Sequence, residues 1–206
     1  MSIPLPEESN FIAIGAWNPA IIQPHWLKRN FPDKIPDTAK IEITSVGAGF
    51  SFKMDYEKVT IDPSNGRLIF IPKVLNKETM QYIAELCVGI RKKLEHTPIV
   101  AAGCNFVFKL EKDESFKIDK IEQEEKIADL YIDLQKKGNL ISKSIRHTFG
   151  LEDCSVNITY DYSENDKIVR INFDFKGTDP MKRAAEALMD NFEYTNQLIK
   201  DIIRKN

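Results

Sequence analysis

The stretch Val156–Phe175, with the sequence VNITYDYSENDKIVRINFDF, decides the fold, because apolar and polar residues alternate on both sides of a polar turn. The turn is the four-residue segment Ser163-Glu164-Asn165-Asp166. Alternation with a period of two is typical of a strand with one buried face and one solvated face. The sequence therefore predicts a β-hairpin, and the helix that follows it is the expected cover for the buried face.

Two long amphipathic helices are predicted. Over 78–95, apolar residues recur at steps of three and four, and Asn76 is the expected N-cap. The second helix is predicted to run from Pro180 to Arg204, with Asp179 as its N-cap and proline at the first helical position. We expect both helices to pack on the same face of the sheet.

One long strand is predicted at Ile41–Met54. Its apolar residues change from odd to even positions, and such a change needs one extra residue, so a β-bulge is expected at Gly47 or Gly49. The other predicted elements are strands at 11–17, 99–110 and 140–149, a hairpin over 59–72 with an Asn65-Gly66 turn, short helical turns within 20–31, and a charged, partly helical region over 111–138.

The predicted elements follow the order strand, helix, strand, hairpin, helix twice over, which predicts an internal duplication of a β-α-β-β-β-α unit. We expect an N-terminal arm at 1–10, a first α+β half at 11–97 and a second α+β half at 98–206. Gly15 and Gly103 occupy equivalent positions in the first strands of the two halves. The halves are expected to form one compact, pseudo-symmetric domain, because the sheet of either half alone would end in an open edge.

In topology, this duplicated unit resembles the TATA-binding-protein-like fold family. The resemblance implies an α+β fold in which one continuous, curved antiparallel sheet carries two long helices on one face. It also implies that Gly15, Gly47, Gly49 and Gly103 lie where the sheet bends. It does not imply DNA binding, which in that family needs a basic concave face studded with phenylalanines, whereas the solvated positions around Asn157–Asp161 and Arg170–Asp174 are mixed in charge.

Composition narrows the classes of function. The 206 residues carry a net charge of -2, whereas a duplex-binding protein usually has a positive field, so nucleic acid is not an expected partner.

The start of the chain lacks the features of a secretory signal, and no segment approaches the roughly 18 apolar residues of a membrane span, so a cytoplasmic protein without membrane contact is expected. The three cysteines are widely separated, which favours a reducing compartment and argues against a zinc site or a disulfide framework. No cofactor is expected.

The most unusual local composition lies at 17–26, where two tryptophans and a histidine flank two prolines. Tryptophan is enriched at binding hot spots, so this segment is a candidate pocket wall or partner surface. The alternative is that the two large rings cap one end of the core. The predicted ligand or partner surface comprises Trp17, Asn18, His25, Trp26, Asn105, Arg146 and His147.

The sequence contains no recognisable catalytic constellation. Asp161 and Asp174 are expected on the same sheet face, where they could act as an acid–base pair, but Arg170 and Lys176 share that face, so a charge-balanced surface is the simpler interpretation. The preferred hypothesis is therefore a non-catalytic protein-binding adaptor or self-associating module, with a protein partner or a homodimer. The alternative is a small-molecule or nucleotide-binding protein, which could include an enzyme, that uses the curved sheet face.

Overall fold

The computed structural model of the chain describes residues 2–46, 49–64, 66–111, 114–116, 141–163 and 166–205. In chain order the described elements are β1 (Ile3–Pro4), a 3₁₀ turn (Pro6–Glu8), β2 (Asn10–Gly15), α1 (Pro24–Asn30), β3 (Lys40–Val46), β4 (Gly49–Asp55), β5 (Val59–Ser64), β6 (Arg67–Pro72), α2 (Lys77–Lys93), β7 (Ile99–Lys109), β8 (Glu114–Phe116), β9 (Ser142–Gly150), β10 (Ser155–Ser163), β11 (Lys167–Lys176), α3 (Pro180–Glu186), α4 (Leu188–Ile202) and β12 (Ile203–Lys205).

An open antiparallel sheet of ten strands forms the centre of the fold, with the order β3-β4-β5-β6-β2-β7-β11-β10-β9 and with β1 paired to β7. The predicted hairpin is confirmed, because β10 and β11 pair from Ser155 opposite Asp174 to Tyr162 opposite Lys167. The central pair joins β2 to β7, and the register shifts between Ile14 and Gly15. The expected α+β class with an antiparallel sheet is therefore confirmed for the described residues.

The prediction of one long strand at Ile41–Met54 is wrong. The segment forms two strands, β3 and β4, which pair antiparallel with Ile41 opposite Met54 and Ile43 opposite Phe52. Of any two residues that face each other in this hairpin, one has an odd number and the other an even number. One sheet face therefore carries odd-numbered residues in β3 and even-numbered residues in β4. The change of parity that suggested a bulge is the signature of a chain reversal.

The first half of the chain contains one more strand than predicted. After α1 the chain forms β3, β4, β5 and β6, so its order there is β-α-β-β-β-β-α. The expected N-terminal arm is also tied to the sheet, because Ile3 and Pro4 pair with Lys109 and Phe108 of β7. The predicted helical region within 111–138 lies outside the described residues, apart from the short strand β8, which pairs with β12.

The helices pack against one another on one side of the core. The predicted N-cap of α2 is confirmed, because the Asn76 side chain accepts a hydrogen bond from the Thr79 backbone N–H at 2.8 Å. The predicted final helix is divided at Ala187 into α3 and α4, and α2 contacts both. Asp179 precedes α3 as predicted, but its side chain does not cap the helix; its carboxylate accepts a hydrogen bond from Arg91 of α2 at 2.7 Å.

The core lies between these helices and the sheet. Cys104 of β7 is 3.7 Å from the Ala184 carbonyl oxygen of α3, and the Phe106 ring lies 5.8 Å from the ring of Phe192 in α4. Gly15 and Gly103, the equivalent glycines of the two predicted halves, are both closely approached by backbone atoms. A Cβ atom at Gly103 would lie 2.8 Å from the Phe173 carbonyl oxygen. Alternate residues of each central strand face this core, so the residues between them form the opposite face of the sheet.

Candidate functional site on the polar sheet face and the sheet edges

The sheet face opposite the helices, here called the polar face, carries a row of asparagines across four adjacent strands. Asn10 of β2 lies opposite Asn105 of β7, which lies opposite Asn172 of β11, which lies opposite Asn157 of β10. The row arises because asparagine occurs at the solvated parity of each strand and because the registers align these positions. We call these four residues the asparagine ladder.

Three of the four side chains of the ladder each donate a hydrogen bond to the next one. Asn157 Nδ2 donates to Asn172 Oδ1 at 3.0 Å, and Asn172 Nδ2 donates to Asn105 Oδ1 at 2.6 Å. Asn105 Nδ2 then donates to Asn10 Oδ1 at 2.7 Å. All bonds run in the same direction, so the amide dipoles are aligned across the middle of the sheet.

The ladder ends at the edge strand β9. The Oδ1 atom of Asn157 accepts hydrogen bonds from Arg146 Nη2 at 2.9 Å and from Thr148 Oγ1 at 2.8 Å. Asn157 is only 8% exposed, although it lies on the polar face. Its amide is therefore hydrogen-bonded to both neighbouring strands, β9 and β11. Amides neither gain nor lose protons at ordinary pH, so this network positions side chains and supplies no acid or base.

The charged residues of the polar face are paired with one another. Arg170 binds Glu8 at 2.6 Å and Asp161 at 3.1 Å, and Asp174 binds Lys176 at 3.1 Å. The hydrogen bond that Arg170 donates to Glu8 is the main reason that the pKa of Arg170 is raised. The pairing confirms that Asp161 and Asp174 belong to a charge-balanced surface, and it also holds the N-terminal 3₁₀ turn against β11.

The predicted site residues of the first half do not form one surface. Trp17 is buried and donates a hydrogen bond from Nε1 to the Ala13 carbonyl oxygen at 2.8 Å. Asn18 turns back on its own loop, accepting a hydrogen bond from the Ala20 N–H at 3.0 Å. His25 is exposed on α1, while Trp26 is half-buried, with its ring 6.0 Å from that of Phe31. Trp17 is therefore part of the core, in agreement with the alternative that the tryptophan rings cap one end of it.

The three predicted site residues of the second half lie on opposite faces of the sheet. Asn105 and Arg146 belong to the hydrogen-bonded network of the polar face, where Asn172 and Asn157 connect them. His147 is opposite Ile158, on the core side, with its ring 6.1 Å from that of Tyr160. Among the described residues its Nε2 atom is buried without a hydrogen-bond partner.

Sequence reasoning missed the residues that connect Asn105 to Arg146. The sequence predicts Asn157 and Asn172 on the solvated face of the hairpin, but their alignment with Asn105 depends on the pairing of β7 with β11, which is distant in sequence. Asn10 falls within the predicted N-terminal arm. The available signal was the recurrence of asparagine at the solvated parity of three predicted strands.

The thiols are unsuited to nucleophilic catalysis. Cys87 and Cys104 are buried in the core, and burial raises the pKa of both thiols well above the ordinary value. Cys154 is half-buried, and its pKa is also raised, chiefly by burial. A thiol with a raised pKa remains protonated at neutral pH and is a poor nucleophile. In the segments that the structure describes, no cluster of three or more histidines, cysteines or carboxylates is placed to hold a metal ion.

A groove of about 550 Å³ lies between the segment after α1 and the helix α2. Tyr82 forms part of its wall and donates a hydrogen bond to the Lys34 carbonyl oxygen at 2.9 Å. Lys58 binds Glu78 at 2.5 Å, and Lys34 binds Glu85. The lysines that flank the Tyr82 ring are thus engaged with carboxylates, and the groove carries charges of both signs.

The two outermost strands of the sheet carry exposed apolar side chains. On β3, Ile41 is 49% exposed and Ile43 is 70% exposed. At the other end, Phe149 of β9 is 52% exposed, and the flanking residues Ile141 and Leu151 are also exposed. Among the described strands, β3 pairs only with β4 and β9 pairs only with β10. Backbone N–H and C=O groups on the outer side of such strands are a template for another strand.

Comparison with models of known protein families and with curated proteins gives no match for this chain. Within the described residues, no helix has the length and hydropathy needed to cross a lipid bilayer.

Proposed function

We propose that this protein is a non-catalytic protein-binding module that associates through the edges of its sheet, with either a second copy of the chain or a protein partner. The observation that carries this proposal is the exposure of large apolar side chains on both outermost strands, above all Ile41 and Ile43 on β3. Natural sheet edges are commonly guarded by charges, prolines or bulges. When another strand is added, the isoleucines that are exposed along a regular edge strand bury apolar surface away from water.

The chemistry of the polar face supports a binding role. Its amides are hydrogen-bonded to each other, and its principal ions are paired, so none is poised as a nucleophile, general acid or general base. A small-molecule site built on Trp17, Trp26, Asn105, Arg146 and His147 has less support, because these residues are divided between the core, the surface near α1 and two sheet faces.

The fold and setting of the protein are part of the same proposal. We infer that the two halves are copies of one unit, in the manner of the TATA-binding-protein-like folds, and that they share one curved sheet. The sheet order supports this inference. From β2 outward, the next strands are β6 and then β5, and from β7 outward in the other direction the next strands are β11 and then β10. A cytoplasmic location is supported by the three free thiols.

The proposal is tested by measuring association with one edge altered at a time. Ile43→Lys on β3 and Phe149→Lys on β9 place a charge where an added strand would pack. Val74→Lys is the matched control, because Val74 is 53% exposed but lies between β6 and α2, away from both edges. We expect at least one edge variant, but not the control, to reduce the molar mass measured by light scattering or the capture of a partner by cross-linking in cell extract. A monomer at every concentration that also captures no partner would refute the proposed function.

A further inference from the structure

We propose that β3 pairs antiparallel with β3 of a second copy, with Ile41 opposite Ile41 and Lys40 opposite Glu42. This inference rests on the proposed function and assigns it a partner. Lys40, Ile41, Glu42 and Ile43 are all exposed, and they form the outer strand of the sheet. Their order, Lys-Ile-Glu-Ile, is suited to pairing with a second copy of itself.

The two faces of β3 differ in chemistry. Ile41 and Ile43 lie opposite Met54 and Phe52 of β4, and Met54 is buried in the core, so the isoleucines are on the helix side. Lys40 and Glu42 alternate with them and therefore lie on the polar side. An added strand has to match the apolar pair on one side and the two opposite charges on the other.

Antiparallel registers centred on a residue of β3 keep these faces matched, and they differ in which charges meet. A register centred on Glu42 puts the two Glu42 carboxylates directly opposite each other. A register centred on Ile43 puts Lys40 and Glu42 opposite uncharged residues. The register centred on Ile41 forms two Lys40–Glu42 pairs related by the two-fold axis, and it places Ile43 opposite Ala39. Residues that face each other in such a pair have Cβ atoms about 4.5–5.5 Å apart, which is within reach for ion pairs and apolar contact.

The other edge of the sheet lacks this self-complementarity. The strand β9, from Ser142 to Gly150, contains Lys143, Arg146 and His147 but no acidic residue. Two copies of β9 would therefore form no ion pair. Charge complementarity therefore selects β3 as the edge for a second copy. The product is a two-fold dimer with an isologous interface, in which the sheet continues from one copy into the other and the helices of both copies lie on the same side.

A charge swap tests the interface. Lys40→Glu or Glu42→Lys alone converts both intermolecular pairs into like charges, and we expect sedimentation velocity to show a dimer dissociation constant raised by about tenfold or more. The double variant Lys40→Glu/Glu42→Lys restores both pairs and should return to within about threefold of the wild-type value. Lys143→Glu on the opposite edge is the control and should have no effect.

The swap also separates the interface from the stability of the monomer. Within one copy, Lys40 lies opposite Asp55 and Glu42 lies opposite Lys53. Each single variant therefore disturbs one pair in the β3–β4 hairpin, and the double variant disturbs both. An effect on folding alone makes the double variant the worst of the three, whereas an effect on the interface makes it the best. Thermal unfolding of each variant provides the parallel measurement.

Single cysteines report the register. In a Cys154→Ser background, oxidation should link Ile41→Cys into a covalent dimer faster than Ile43→Cys. Preferential linkage through Ile43→Cys would overturn the register. A wild-type dimer that is insensitive to the charge swap would overturn the β3 interface and leave the proposed function standing. A monomeric wild-type protein would overturn this inference, and the proposed function would then be judged separately on the capture of another protein.

Discussion

Replacing Asn172 with alanine tests the asparagine ladder, because this residue connects the two halves of the network. Asn172 donates to Asn105 at 2.6 Å and accepts from Asn157 at 3.0 Å. A hydrogen bond of this kind contributes about 0.5–1.5 kcal/mol net, so the loss of two lowers the free energy of unfolding by about 1–3 kcal/mol. We expect a value near the middle of this range, since Asn157 is 8% exposed and water replaces its lost partner incompletely.

The measurement is urea-induced unfolding of the wild type, Asn172→Ala, Asn157→Ala and the double variant. The double-mutant cycle should give a coupling energy of about 0.5–1.5 kcal/mol between the two positions. Asn196→Ala is the matched control, because Asn196 donates its hydrogen bond within its own helix, to the Phe192 carbonyl oxygen at 3.0 Å, and alanine has the higher helix propensity. The control should lie within about 0.5 kcal/mol of the wild type.

An isosteric variant tests the direction of the hydrogen bonds. Asn172→Asp can still accept from Asn157, but its ionised carboxylate cannot donate to Asn105 and places an oxygen against the Asn105 carbonyl oxygen. Folding therefore raises the pKa of this new carboxyl. The sign of the pH dependence follows: the variant regains stability relative to the wild type as the pH falls and loses it as the pH rises through the folded-state pKa. A loss below about 0.5 kcal/mol for Asn172→Ala, or an Asn172→Asp variant as stable as the wild type at neutral pH, would refute the ladder as a stabilising network.

Three further predictions follow from local contacts. Asn76→Ala removes the cap of α2 and should cost about 1 kcal/mol in chemical denaturation, whereas Asn76→Asp should cost little; equal losses would contradict the capping role. In the native protein a thiol reagent should modify Cys154 first, with Cys87 and Cys104 reacting only on unfolding. Three thiols that react equally fast would contradict the burial of Cys87 and Cys104. The pKa of the Asp55 carboxyl is lowered mainly by a hydrogen bond from a lysine and then by one from a threonine, so NMR should show it titrating below an unperturbed aspartate. Its contribution to stability is therefore present at neutral pH and is lost as the pH falls through that lowered pKa.

Local patterns predicted the elements whose partner is close in sequence. The β10–β11 hairpin follows from alternation around a polar turn, and α2 follows from its apolar stripe and the Asn76 cap. The error at 41–54 has a physical origin, because a bulge and a chain reversal produce the same change of parity. Register distinguishes them, and register is fixed by the pairing of whole strands.

The division of the last helix was not predictable from its apolar stripe, which continues through Ala187. The break coincides with the point where α3, which contacts β7 and β11, gives way to α4. Both α3 and α4 contact β7, and the intrinsic helix propensity of the sequence does not oppose a continuous helix there.

The candidate site was predictable only in part, for the same reason. Arg146 and His147 are adjacent in sequence, and adjacent residues of a strand lie on opposite faces. Asn105 could be singled out, but its partners Asn172 and Asn10 are distant along the chain. Only the sheet order brings them together.

The pairing of β2 with β7 at the middle of the sheet has a consequence for how the polypeptide can be divided. The connection at 94–98 follows α2 and precedes β7, so a cut there leaves each fragment with a bare inner strand that is complementary to the other. Arg91 and Asp179 provide a second point of attachment across the same boundary. Two fragments made separately should therefore recognise each other and rebuild the parent molecule, which makes this connection the natural place to split the protein into a complementation reporter.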